Sequence, residues 1–415
     1  MNRSARDTIQ MGMGCEAINP PLGVPLAGYP NKRENTGGEL DLCVRVAVFA
    51  EAASPSPAAA MVVLDNLGAG PDVVAKIRQT VAGAVDALPP ASILVAATHT
   101  HSAPSLRAFG GQETGKAPQV NADYVARIAG AAARAAAAAW ERRTTVRIRA
   151  GRGHAPDLHH NRRVVDAGGK ATNEWLDPDR THAGYTNPAV PFLVFEDAAT
   201  GAVAGMIVSY GCHPVTRGPG STLTSPDYPG YFVRALEAAT GAPVVIHVTG
   251  AGADINPRSA LRDDHTGAQE VGEALSKAVL AALGGAKAVA ASPVRSASSV
   301  LDLKLGPDAR ANYSNRAADT ADGKTLTSEV QAVRLGECVF VTAPGELFSE
   351  IGLQMEAASP LAHPIVISQG DDYLGYLFTD KAFAEGGYEP RNAISESIEK
   401  PLVAAAARAM QATLP

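Results

Sequence analysis

Apolar residues in this chain come in short runs that alternate with stretches of helical spacing. A run near 45–50 and AMVVLDN at 60–66 read as short buried strands. Residues 72–87 carry apolar positions three and four apart, which predicts a helix, and SILVAA at 92–97 reads as the next strand. Asn121 is placed to cap a long helix reaching about Arg142, and TTVRIRAG at 144–151 returns to a strand. After residue 190 the rhythm resumes with strands at 191–197 and 204–214, a helix from about Tyr228 to Thr240, a strand at 243–250 and a helix from about Gly267 to Leu283. Strands dominate from 293, and helices are expected near 346–357 and 392–412. Such alternation predicts an α/β fold of mixed sheets flanked by helices. No internal repeat and no Gly/Ser linker divides the chain, so residues 1–415 read as one unit, with a subdomain boundary near 290 as the alternative.

Two stretches break the rhythm. Residues 151–190 are rich in His, Arg, Asn, Asp and Gly with little periodicity, the mark of a loop that is either functional or disordered. MGMG at 11–14 reads as a tight turn, because glycines weaken both helix and strand.

Composition narrows the function classes. With 46% hydrophobic and 19% charged residues in 415, there is ample material for a core. A net charge of −6 weighs against nucleic acid and anionic membrane surfaces as partners. The four cysteines form no CxxC pair, which disfavours a zinc knuckle or a disulfide framework and suits a reducing compartment. The N-terminus has no apolar signal-like core, and the Ala-rich stretch at 128–140 is interrupted by Arg134. The expectation is a cytoplasmic protein without stable membrane insertion. P-loop, GxSxG, HExxH and CxxC motifs are all absent.

Candidate chemistry sits where apolar strands end. VAATHTHSAPS at 95–105 closes a strand with His99 and His101, and residues two apart on an extended segment share a face. His213 follows the strand in SYGCHPVTR, and Glu346 follows another in VFVTAPGELFSE, where it is expected to open a helix. Histidines plus a carboxylate at strand ends form a ligand set typical of a catalytic zinc with an open position. Arg162, in HHNRR, is a candidate clamp for a substrate carbonyl or carboxylate. Tyr373, Tyr376 and Tyr388 crowd one segment of a chain only 5% aromatic. GAGAD at 250–254 follows a buried strand, the place where α/β sheets bind ligands.

Read together, NPPLGVPLAGYPNK, ATHTHSAP, HHNRR, GCHPVT, SPDYPGYF, GAGADINPR, APGE and the DYLGYL…GGYEP segment resemble the catalytic domain of the neutral/alkaline, non-lysosomal ceramidases. The resemblance implies a zinc-dependent hydrolase of carboxamides acting on a small-molecule amide. It implies His99, His213, Glu346 and Tyr376 as zinc ligands, with Tyr373 as the substitute for Tyr376. His101 would face substrate and water, as general base or oxyanion stabiliser, with Arg162 beside it and Tyr388 at the scissile carbonyl. Where the family carries a serine this chain has Asn256, so a serine nucleophile is not expected and Asn256 is read as positioning substrate. Asp65 and Asp227 are candidates to support the ligating histidines, Asp227 also reading as a helix cap. The longer relatives' immunoglobulin-like domain and secretion signal are not expected here. A metal-dependent esterase or lactonase, and a non-catalytic metal-binding homologue, stay open as alternatives.

Overall fold

A computed structural model describes residues 7–52, 58–106, 121–306 and 324–415. Its largest element is a nine-stranded mixed sheet. Eight strands run in the order Val245–Thr249, Val203–Tyr210, Ala189–Asp197, Thr144–His154, Ile9–Ala17, Cys43–Glu51, Ala58–Leu64 and Ile93–Ala97; the ninth, Lys287–Val289, pairs with Thr144–His154. The outermost pair at each edge is parallel and the inner pairs are antiparallel. A second sheet of four strands follows: Val294–Lys304, Thr325–Leu335, Cys338–Thr342 and His363–Ile367.

The layering follows from which faces are apolar. One face of the large sheet, with Met11, Phe49 and Phe195, shares a core with Val333, Phe340 and Ile367 of the second sheet. Each large side chain buried there contributes roughly 1.5–3 kcal/mol relative to exposure. The opposite face is covered in two halves, by helices Pro71–Ala84 and Ala122–Glu141 and by helices Tyr228–Thr240 and Thr266–Leu283. Helices Ser349–Ala357 and Glu399–Gln411 cover the outside of the second sheet. The result is four layers, helix, sheet, sheet, helix. Asn121 caps its helix as expected, its side chain accepting from the Tyr124 amide.

The glycine-rich MGMG is not a turn. It lies inside the central strand Ile9–Ala17, paired along its whole length with Cys43–Glu51. A Cβ on Gly12 would sit 2.0 Å from the Ala139 carbonyl oxygen, and one on Gly14 2.4 Å from that of Ala135. The glycines therefore let the alanine face of helix Ala122–Glu141 press directly on the sheet. Three further expectations shift. Glu346 lies in a two-residue strand, Glu346–Leu347, and the helix begins only at Ser349. The C-terminal helix starts at Glu399, preceded by a single turn at Glu389–Asn392. The irregular stretch 151–190 contains short strands: His159–Asn161 pairs with Ile255–Pro257, and Arg163–Val165 with Ala171–Asn173.

The two edges of the large sheet are tied to each other. Thr249 Oγ1 donates to the Thr98 carbonyl at 2.8 Å. The segment after the last strand of the second sheet bridges the same gap: Ser368 N donates to Thr249 O at 2.8 Å, Ala97 N to Gln369 O at 3.2 Å, and Asp371 N to Val95 O at 2.7 Å. Strand exits that are far apart in the sheet order thereby open into one place. Among the described residues no helix is long and apolar enough to cross a membrane.

Candidate metal centre

The exits of strands Ile93–Ala97 and Val203–Tyr210 bring His99, His101 and His213 together, with ligand nitrogens all within 4.8 Å of one another. Strand alternation is not what joins the first two. His99 has φ of 68°, a left-handed conformation uncommon for a residue with a Cβ, so the chain turns between them. The turn is fixed by His99 N donating to Asn66 O at 2.8 Å and by Arg33 Nη2 donating to His101 O at 2.7 Å. His99 and His101 then meet at 3.4 Å between their Nε2 atoms.

The tautomers follow from the neighbours. His99 Nδ1–H donates to the Leu67 carbonyl at 2.7 Å, and His213 Nδ1–H donates to the Gly252 carbonyl at 2.8 Å. A carbonyl can only accept, so each Nδ1 carries a proton, and Nε2 is left as the nitrogen that would face an ion. Backbone carbonyls thus fill the role expected of Asp65 and Asp227. Asp65 instead accepts from Arg45 at 2.9 Å and from the Thr98 hydroxyl at 3.3 Å. Asp227 caps helix Tyr228–Thr240 and binds Thr216 and Arg217 in the loop after His213.

Glu346 completes the group. Its Oε2 lies 3.1 Å from His213 Nε2 and 3.3 Å from His99 Nε2. Burial opposes ionisation of this carboxyl, but His99 and His213 override it and hold its pKa well below the usual range. Burial, with Arg162 adding to it, lowers His213 to about 4, and burial beside His99 and His213 pushes His101 well below its ordinary value. Two Nε2 atoms and a carboxylate oxygen therefore face one another in a buried space. That donor set fits a divalent cation of zinc's preferences.

The tyrosines divide. Tyr373, buried, donates its hydroxyl to Glu346 Oε1 and stacks on His99 with ring centroids 6.0 Å apart. Tyr376 is the register partner of Glu346 in the parallel pair Glu346–Leu347 and Tyr376–Leu377, so both side chains leave the ladder on the same side. Its hydroxyl accepts from Arg162 Nη2 at 3.2 Å.

Arg162 anchors a second group. Its Nη1 donates to Asn256 Oδ1 at 3.2 Å and its Nε to Glu389 at 3.0 Å. Burial works against this guanidinium, but Tyr376, Glu389 and Glu346 around it keep it cationic. Tyr376 and Tyr388 are both raised by burial and by the Glu346 carboxylate, so their hydroxyls stay protonated and can donate. Asn256 uses both ends of its amide inside the protein, accepting from Arg162 and donating to the Trp175 carbonyl at 3.0 Å. Its observed contacts hold the arginine and the 175 loop.

Four participants escaped the sequence reading. The Leu67 and Gly252 carbonyls have no side-chain signal. Glu389, fully buried, bridges Arg162 and Arg163 and stands in the GGYEP motif itself. Trp175 lies with its ring centroid 4.9 Å from the Arg162 guanidinium carbon, in a loop with no periodicity to single it out.

Searches among solved structures place this architecture. A neutral ceramidase from Pseudomonas aeruginosa superposes with a TM-score of 0.78 at 19% identity, covering 98% of this chain and 73% of that one. The fold is ceramidase-like. A ceramidase complexed with C2 matches with a TM-score of 0.77 at 18% identity, covering 98% of this chain and 74% of that one. No protein-family model and no curated protein sequence matches the chain. The ceramidase-like fold is thus carried with little sequence identity, and the histidine cluster sits where its strand exits converge.

Proposed function

We propose that this protein is a zinc-dependent hydrolase of carboxamides, built as one ceramidase-like catalytic domain. The observation that carries the reading is the convergence of His99 Nε2, His213 Nε2 and Glu346 Oε2 at 3.1–3.3 Å, with both Nδ1 protons committed to carbonyls. These three groups would hold the ion, with Tyr376 as a further oxygen ligand. A bound zinc ion supplies Lewis acidity, polarising the amide carbonyl and making water nucleophilic near neutral pH.

The chain's own groups do the rest. His101, kept neutral by burial and by its histidine neighbours, has a lone pair with which to take a proton from the attacking water. That proton then goes to the departing amine. Tyr388 and Arg162 supply a hydrogen bond and fixed positive charge to the carbonyl oxygen as it gains negative charge. Glu389 and Asn256 keep the arginine aimed, so little reorganisation is needed during reaction.

The test is direct. Purified protein should carry about one zinc per chain, the occupancy of a single site, and release amine from N-acyl amides. His99→Ala or chelation should remove both. Full turnover by a verified metal-free preparation overturns the proposal.

A further inference from the structure

We infer that Trp175 is a substrate-contact residue that takes an apolar arm of the amide beside the scissile bond. The inference rests on the hydrolase reading and names its substrate class. Large aromatic side chains usually sit in a core. Trp175 instead stays 38% exposed in the loop after strand Ala171–Asn173, next in sequence to Leu176 at 50%. Its surroundings are fixed. The backbone is pinned on both sides by site residues, with Glu174 N donating to Arg162 O at 2.8 Å and Asn256 donating to the Trp175 carbonyl. One side of the indole lies against the Arg162 guanidinium, and Tyr388, 42% exposed, packs edge-on at 5.2 Å between centroids.

These contacts make a continuous path from the proposed metal centre to exposed side chains. Glu346 neighbours Tyr376, Tyr376 bonds Arg162 and contacts Tyr388 at 5.8 Å, and both lead to Trp175. The polar groups of that path serve the carbonyl. The indole, with Leu176 beside it, offers a preorganised apolar surface one residue further out. A group bound there would be held without ordering the loop anew.

Three probes sharing one amide test this: N-octanoylglycinamide, N-acetyloctylamine and N-acetylglycinamide. The chain has two tryptophans, and Trp140 lies on a remote helix beneath Arg143. Trp140→Phe therefore leaves Trp175 as the sole indole. Its emission should shift with an octyl probe and stay constant with N-acetylglycinamide. In the otherwise unaltered chain, Trp175→Ala should raise KM for the octyl substrate about tenfold. The rise for the octyl substrate should exceed any change for N-acetylglycinamide about tenfold. Trp175→Phe should recover part of the loss, and zinc content should not move. No emission response to either octyl probe, or an equal KM rise for polar and apolar amides, overturns the inference. If no amide is hydrolysed the hydrolase reading fails, while the emission titration still reports whether the indole binds the octyl arm.

Discussion

Gly28→Ala separates metal binding from the work of His101. Gly28 has φ of +98°, and a Cβ there would lie 2.5 Å from His101 Cγ and 2.7 Å from its Cβ and Nδ1. The imidazole cannot simply retreat. Tyr29 packs against it at 5.2 Å, His99 at 4.9 Å and His213 at 5.7 Å between centroids, and Arg33 fixes its backbone carbonyl. The left-handed backbone costs about 1–2 kcal/mol for alanine, and the overlap adds about 1–3 kcal/mol. A urea titration should show a loss of about 2–5 kcal/mol, with Tm falling by about 2–6 °C in a chain of this size. The larger effect is on chemistry. A base displaced by about 1 Å forfeits most of its proton-transfer advantage, so kcat should drop about a hundredfold or more. Zinc content by mass spectrometry should stay at the wild-type value, because the three atoms nearest the new methyl group all belong to His101. Loss of zinc together with activity would refute the division of roles and make His101 a ligand. Unchanged kcat with zinc retained would remove His101 from the reaction.

Other outcomes follow from the same contacts. Glu346→Gln removes the carboxylate that His99 and His213 face, so zinc should no longer raise the Tm of the variant; calorimetry with and without zinc reads this, and a zinc-induced rise in the variant would contradict the ligand assignment. Glu389→Ala takes the buried carboxylate from Arg162 and leaves Arg163 only its pair with Glu385, which should cost about 3–5 kcal/mol and reduce turnover without loss of zinc; full stability in urea would show that the bridge is not needed. Burial lowers His159 to about 4, with Arg258 adding to it, and lowers His247 to about 3, with Arg45 adding to it. Both are held below the ordinary histidine value of about 6.5, so their contribution is present above that pH and is lost as pH falls toward the folded-state values. Each should weaken the fold by about 2 kcal/mol between pH 7 and pH 5, read as a lower urea midpoint that His247→Phe partly restores; a pH-independent midpoint counts against it.

Local pattern already marked much of this molecule. The helix Tyr228–Thr240 and the cap at Asn121 were legible because spacing and capping are short-range effects. So was the placement of His99, His101 and His213 after apolar runs. The proposal that His99 rather than His101 would bind metal came from family resemblance, since periodicity treats them alike. The rest depended on partners distant in the chain. MGMG is a strand because a helix more than a hundred residues later needs the space its missing side chains leave. His99 meets His101 through a left-handed turn held by Asn66 and Arg33, not through strand alternation. Glu346 finds Tyr376 through a two-residue parallel ladder too short to leave a pattern, and Trp175 gains meaning only from Arg162 and Tyr388 around it. Spacing along a chain reports which residues share a local face. Bringing the edges of a nine-stranded sheet together, through Thr249 and the segment after Ile367, is a property of the packed layers, and that closure is what assembles the centre.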